Sequence, residues 1–91
     1  MTEGPVERQR LDKWLWHARF GRTRTRSAEI VRSGHVRVNG ARITDPGKGI
    51  KAGDVLTLAM PGRTLVIRVV AFAGKRGDSP TAQALYEPVA D

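Results

Sequence analysis

Arginine and lysine side chains crowd the first half of this chain, and they are the residues best suited to bind a ligand. Between Arg8 and Lys51 there are twelve Arg and Lys residues but only three acidic ones, within a 91-residue chain of formal net charge +7. Guanidinium groups bind phosphate oxygens through paired hydrogen bonds and stack on flat rings. A basic surface of this density indicates a polyphosphate ligand, because its binding releases condensed counterions. Nucleic acid is the first ligand class to consider.

Catalytic chemistry finds little support in the sequence. The chain has no cysteine, which excludes a disulfide framework, a thiolate zinc site and a thiol nucleophile. His17 and His35 have no acidic cluster beside them, so we expect structural or phosphate-facing roles rather than metal ligation. The basic stretch 74–77 lacks the spacing of a phosphate-binding P-loop, and no serine, histidine and acid match a nucleophile motif. We therefore predict a noncatalytic protein without a cofactor.

A first helix should position much of the basic charge. One apolar face at helical spacing is formed by Leu11, Trp14, Leu15 and Ala18. Lys13 and His17 are expected on the opposite side, and Gly21 is expected to end the helix. Trp14 is predicted to be core. Trp16 lies off the apolar face, where it could stack on an RNA base or be covered by Leu85 and Tyr86.

A second helix should follow the basic linker 22–24. Thr25 is the predicted N-cap, and Gly34 suits the left-handed position just beyond the last turn. The predicted inward-facing residues of this helix are Ser27, Ala28, Ile30 and Val31.

The rest of the chain favours strands. Residues 35–39 alternate with period two, and Asn39-Gly40 is typical of a type I′ hairpin turn. Strands are predicted over 55–59 and 65–72, the latter the longest and central. Ser79 is the predicted N-cap of a short C-terminal helical turn with Pro80 at its first position. The predicted fold class is α+β, with two short helices before a small, mostly antiparallel sheet.

Several of these motifs together resemble a known domain. The two helices, the basic linker, Gly-x-Val-x-Val-Asn-Gly and Ile-x-x-Gly-Asp resemble the S-four RNA-binding domain, also called the alpha-L type. The run Arg-Leu-Asp-Lys-Trp-Leu-Trp at 10–16, Ala-Arg-Phe at 18–20 and Ala-Gln-Ala-Leu-Tyr-Glu at 82–87 are similar to the heat-shock protein fifteen family. The short ribosome quality-control partner proteins are a similar branch.

The resemblance implies a function and a domain plan. The family is implied to bind ribosomal RNA and tRNA on the large ribosomal subunit, in rescue or quality control of stalled peptidyl-tRNA complexes under stress. The plan is a disordered tail over 1–8, the RNA-binding domain with an added strand over 9–73, and a basic loop with a short helical segment over 74–91.

The predicted site residues follow from the resemblance and the charge. Arg10 and Arg24 match positions that contact RNA in the resembling families. The full predicted RNA-binding set is Arg10, Lys13, Arg19, Arg22, Arg24, Thr25, Arg26, Arg37, Asn39 and Gly40. The alternatives are an adaptor whose basic face meets an acidic protein, or a general nucleic-acid module that also binds DNA. We expect a cytoplasmic monomer without a membrane-spanning or secretory segment.

Overall fold

A computed structural model describes residues 7–89, which form three helices and seven strands. The helices are α1 (Leu11–His17), α2 (Arg24–Arg32) and α3 (Ser79–Gln83). The strands are β1 (Gln9–Arg10), β2 (Val36–Val38), β3 (Ala41–Ile43), β4 (Gly49–Ile50), β5 (Val55–Met60), β6 (Arg63–Val69) and β7 (Tyr86–Pro88). Most of the predicted tail, residues 1–6, lies outside the described part of the chain.

Antiparallel pairing joins all the strands. A five-stranded sheet has the order β3-β2-β5-β6-β7, and β1 pairs separately with β4. This confirms the predicted α+β fold with its antiparallel sheet. The longest strand, β6, is paired on both sides, with β5 and β7, as its predicted central position requires, although β5 takes the middle place in the sheet. The short strands β1, β4 and β7 were not predicted, since two or three residues carry no readable alternation.

The predicted caps of two helices need correction. Thr23, not Thr25, caps α2: its backbone is extended and its hydroxyl accepts the Arg26 N–H at 2.9 Å. Asp78, not Ser79, caps α3, and its carboxylate accepts the Thr81 N–H at 3.0 Å. In each case the residue that caps the helix has an extended backbone and a side-chain oxygen that accepts the N–H three residues later, as an N-cap requires.

The connection between α1 and α2 is tightly packed. The first helix ends at His17, and Arg19 rather than Gly21 takes a left-handed backbone, with φ of 66°. Gly21 is required for a different reason, because a Cβ atom there would overlap the buried Ser27 side chain. The Ser27 hydroxyl in turn donates to the Thr23 carbonyl at 3.0 Å. The linker is thereby held against the start of α2.

The apolar face predicted for α1 packs into the core. Leu11, Trp14 and Leu15 are fully buried. The Trp14 indole donates its N–H to the Ala71 carbonyl at 3.0 Å, and its ring centroid lies 6.2 Å from that of Phe20 and 6.4 Å from that of Tyr86. Because Ala71 and Tyr86 come from the C-terminal part of the chain, Trp14 joins the two ends of the domain.

Substituting Trp14 should therefore cost far more than substituting an exposed apolar residue. Trp14→Ala removes a large buried side chain and is expected to lower the free energy of unfolding by about 3–5 kcal/mol, a large share of a small domain's total stability. Val70→Ala is the control, because Val70 is 45% exposed. Urea unfolding of both variants gives the comparison, and equal losses would contradict the assignment of Trp14 to the core.

Candidate nucleic-acid interface

A buried carboxylate organises the basic residues at the start of α1. Asp12 is only 4% exposed. Arg10 donates to both of its oxygens, from Nε at 3.1 Å and from Nη2 at 3.0 Å, and Arg24 Nη2 lies 3.9 Å away. The Lys13 backbone N–H completes the set at 2.7 Å. Residues far apart in the chain, at the start of α1 and of α2, are thus brought to one point, called here the Asp12 cluster (Arg10, Asp12, Lys13 and Arg24).

The backbone around the Asp12 cluster is fixed by the loop before β4. The first amides of a helix lack intrahelical partners, and here those of Leu11 and Asp12 donate to the carbonyls of Lys48 and Pro46, at 2.9 and 3.0 Å. The pairing of β1 with β4 holds the same segment from its other side. A side chain at Gly47 would meet the Arg10 guanidinium, whose Nη1 is 3.3 Å from an added Cβ. Arg10 is therefore confined between its carboxylate and a glycine.

The Asp12 cluster favours the charged forms of both Asp12 and Arg10. Burial alone would raise the pKa of Asp12, but the hydrogen bonds from Arg10 and Lys13 and the charges of Arg10 and Arg24 outweigh it and lower the pKa. The hydrogen bond from Asp12 raises the pKa of Arg10 in turn. The side chains of Arg10 and Arg24 remain 53% and 47% exposed. Each uses part of its guanidinium on Asp12 and presents the rest to solvent, where it can donate to an anion.

His17 is buried, so its predicted position on the side of α1 opposite the apolar face was wrong. It is 1% exposed, and its Nδ1 has no hydrogen-bond partner among the described residues. Burial lowers the pKa of His17 most, the charge of Lys13 and then that of Arg24 lower it further, and a hydrogen bond with the Ala73 backbone opposes these effects. The C-terminal segment that covers His17 could not be read from the helical pattern.

The other predicted arginines lie in separate places. Arg22 and Arg26 line a cleft between α2 and the β5–β6 turn, and Arg26 pairs with Glu29 at 3.1 Å. Arg19 donates to the Gly77 carbonyl at 3.1 Å, toward the C-terminal segment. Arg37 lies opposite Arg42 across the β2–β3 ladder and donates to the turn carbonyl of Gly40. Thr25 is an exposed residue in the first turn of α2.

Asn39 and Gly40 form the predicted tight turn, with φ values of 51° and 86°. The Asn39 side chain is occupied within the protein, because its Oδ1 accepts the Val55 N–H at 2.9 Å and its Nδ2 donates to Asp54 at 3.2 Å. Asp54 is buried and also accepts from the Lys51 ammonium at 2.6 Å. These contacts tie the hairpin to β5.

Beside the turn lies a groove of about 240 Å³ that the sequence interpretation missed. Its basic lining residues are Arg8, Lys48 and Lys51. They are brought together by the pairing of β1 with β4, which leaves no sequence signal.

Trp16 is half-buried, and its predicted cover by Tyr86 is not found, whereas stacking on an RNA base stays a prediction. Tyr86, expected to cover it, packs instead on Phe20 and Trp14. The Trp16 ring lies 5.3 Å from that of His17, and its carbonyl accepts from Arg76 Nε at 3.2 Å.

Residues 7–89 contain no group of three His, Cys, Asp or Glu side chains that could hold a metal ion, and no helix there has the length and apolar content to cross a membrane.

The burial of His17 should make stability depend on pH. Its pKa is lowered in the folded protein, so below its ordinary value of 6.5 the unfolded chain binds a proton that the folded protein resists. Stability is therefore complete above that pH and is lost as the pH falls. Melting temperatures at about pH 7.5 and about pH 5.5 should differ less in His17→Gln than in the parent protein. The control His35→Gln changes an exposed histidine and should keep the parental difference; an unchanged difference in His17→Gln would refute the assignment.

Comparisons with known proteins agree with this architecture. The S4 domain family model matches residues 9–56. A heat shock protein 15 homolog of Aeromonas salmonicida is 40% identical over 86% of this chain and 58% of its own length. Heat shock protein 15 of Escherichia coli is 37% identical over 100% of this chain and 68% of its own length, so the chain spans only part of both relatives.

A solved structure extends the similarity to three dimensions. The trimeric structure of Vibrio cholerae heat shock protein 15 superposes with a TM-score of 0.86 at 38% identity, covering 92% of this chain and 84% of that one. The S4 domain is an RNA-binding domain. Family model, sequence relatives and fold agree, and the chain belongs to the heat shock protein 15 family of S4-domain proteins.

Proposed function

We propose that this protein is a noncatalytic RNA-binding protein whose primary contact is the Asp12 cluster. The observation that carries the proposal is the pair of arginines, Arg10 and Arg24, held on one buried carboxylate while about half of each side chain stays exposed. Cations held in this way lose little conformational entropy on binding a phosphate. Membership of the S4-domain family supports RNA as the polyanion.

The proposed target is ribosomal RNA together with tRNA on the large ribosomal subunit, in rescue of stalled peptidyl-tRNA complexes under stress, in the cytoplasm. The support is the similarity to heat shock protein 15. A protein without an energy source acts only by stabilising one state of its complex. The basic residues outside the Asp12 cluster, such as Arg37 on the sheet, offer a second surface through which two RNAs could be held at once. We propose a monomer on RNA, although the Vibrio relative was solved as a trimer.

A substitution at Asp12 distinguishes two explanations of RNA binding: positioning of Arg10 and Arg24 by the carboxylate, and bulk electrostatic attraction. Asp12→Asn removes a negative charge from a basic surface, so bulk electrostatics alone predicts tighter RNA binding. If Asp12 positions Arg10 and Arg24, the affinity for an RNA hairpin should instead fall by about threefold to tenfold, or about 0.7–1.4 kcal/mol. Arg10→Ala and Arg24→Ala should weaken binding similarly. Arg24→Ala should leave the melting temperature nearly unchanged, because Arg24 is half exposed and lies 3.9 Å from Asp12. Arg10→Ala should lower it, because the buried Asp12 carboxylate loses the partner that donates to both of its oxygens.

Glu29→Gln is the matched control for Asp12→Asn. It removes the same charge, but Glu29 is an exposed residue paired with Arg26. Its affinity should be unchanged or higher, measured by fluorescence anisotropy at a temperature where every variant is folded. Tighter binding by both variants would show that Asp12 does not position the arginines.

Sedimentation of lysate tests the ribosomal partner. After heat or translational stress, the protein should comigrate with free large subunits in a sucrose gradient, and Arg10→Ala should shift it toward the top. A protein found only at the top under every condition would contradict the proposal. Ribonuclease treatment distinguishes the adaptor alternative, since an acidic protein partner would stay bound after the RNA is digested.

A further inference from the structure

A cleft of about 450 Å³ lies apart from the Asp12 cluster, between α2 and the turn that joins β5 to β6. Three half-buried apolar residues, Phe20, Ile30 and Met60, line it and rest on the core. Three exposed basic residues, Arg22, Arg26 and His35, line it as well. A concave apolar surface with a few cationic groups at its edge suits a small ligand that combines a flat ring with an anion.

We propose that this cleft binds one unpaired nucleotide of the bound RNA. The base contacts the apolar side formed by Phe20, Ile30 and Met60, and its phosphate is held by Arg22 and Arg26. This inference rests on the proposed RNA-binding function and adds to it a preference for RNA with unstacked bases. Proteins that read single-stranded RNA commonly insert such bases against aromatic and apolar side chains.

The charges on the cleft are available for a ligand. Among residues 7–89, the structure shows no acidic partner for Arg22. Arg26 is paired with Glu29, but both side chains are more than half exposed, at 61% and 52%. Exposed pairs of this kind contribute little free energy. Arg26 can therefore exchange Glu29 for a phosphate at small cost.

A nucleotide fits the cleft better than an acidic peptide does. Arg22 is separated from Arg24 only by the extended residue Thr23, so a strand that contacts the Asp12 cluster passes beside the cleft. An acidic peptide would engage the arginines but would leave the apolar side uncovered. Phe20 and Met60 provide the aromatic and polarisable contacts that favour a base.

The test compares two RNA probes of equal charge. One is a hairpin whose loop has unpaired nucleotides, and the other is a blunt duplex with the same number of phosphates. Because stacking of one base contributes a factor of about 5 to 150 in affinity, the parent protein should prefer the hairpin by at least about fivefold. Ala59→Ile fills the cleft from an exposed strand position without changing the charge, and it should reduce this preference to less than about twofold.

Variants that each remove one positive charge test whether the phosphate of the bound nucleotide lies at the cleft. Arg22→Ala should also reduce the preference for the hairpin. Arg32→Ala removes the same charge from an exposed position at the end of α2 and should retain the preference. Circular dichroism and melting curves establish that each variant is folded before its affinity is compared.

The possible results distinguish failure of the nucleotide site from failure of the proposed RNA-binding function. Equal, salt-dependent binding of both probes by the parent protein would overturn the nucleotide site and leave the proposed function intact, whereas failure to bind either probe would overturn both. A hairpin preference that survives in folded Ala59→Ile would place the base elsewhere. Binding of a polyglutamate peptide that Ala59→Ile weakens, with hairpin preference unchanged, would assign the cleft to an acidic polypeptide and also overturn the proposal.

Discussion

The buried carboxylate of Asp12 is the interaction on which both the fold and the basic surface depend. It accepts the Lys13 amide at the start of α1 and holds Arg10, and it lies within 3.9 Å of Arg24 on α2. Its burial would be costly for an unpaired charge, and the arginines offset that cost. The same contacts orient the two guanidinium groups toward solvent. The ion cluster that stabilises this small domain is therefore also the proposed RNA contact.

A second constraint is the small size of the core. With 91 residues the chain has few large apolar side chains, and Trp14 contributes the largest fully buried one. It contacts Phe20 in the linker and Tyr86 in β7, while Ala71 accepts its N–H. The C-terminal segment consequently completes the same core that supports α1. Trp14 therefore links the helices to β7 within the shared core, which explains why β7 belongs to the domain.

The linker between the helices connects the two proposed contact regions. Gly21 packs on Ser27, and Thr23 caps α2, so the backbone between Arg22 and Arg24 has little freedom. One arginine of the linker faces the cleft and the other reaches Asp12. The linker backbone is fixed while its arginine side chains are exposed. It can therefore present cations to a ligand without the entropy cost of ordering a loop.

The sequence by itself determined the elements whose signals are local. The apolar spacing of α1, the alternating strand before Asn39-Gly40 and the positive φ at Gly34 depend on neighbours within a few residues, and all three are present. The charge of the first half, and with it the class of ligand, was also readable. Only the tertiary structure decided that Asp12 and His17 are buried, that Asn39 is bonded to β5, and which arginines share a carboxylate. Those facts depend on partners distant in the chain, such as Arg24 for Asp12 and Ala73 for His17. Burial and pairing arise from packing, and local periodicity contains no information about them.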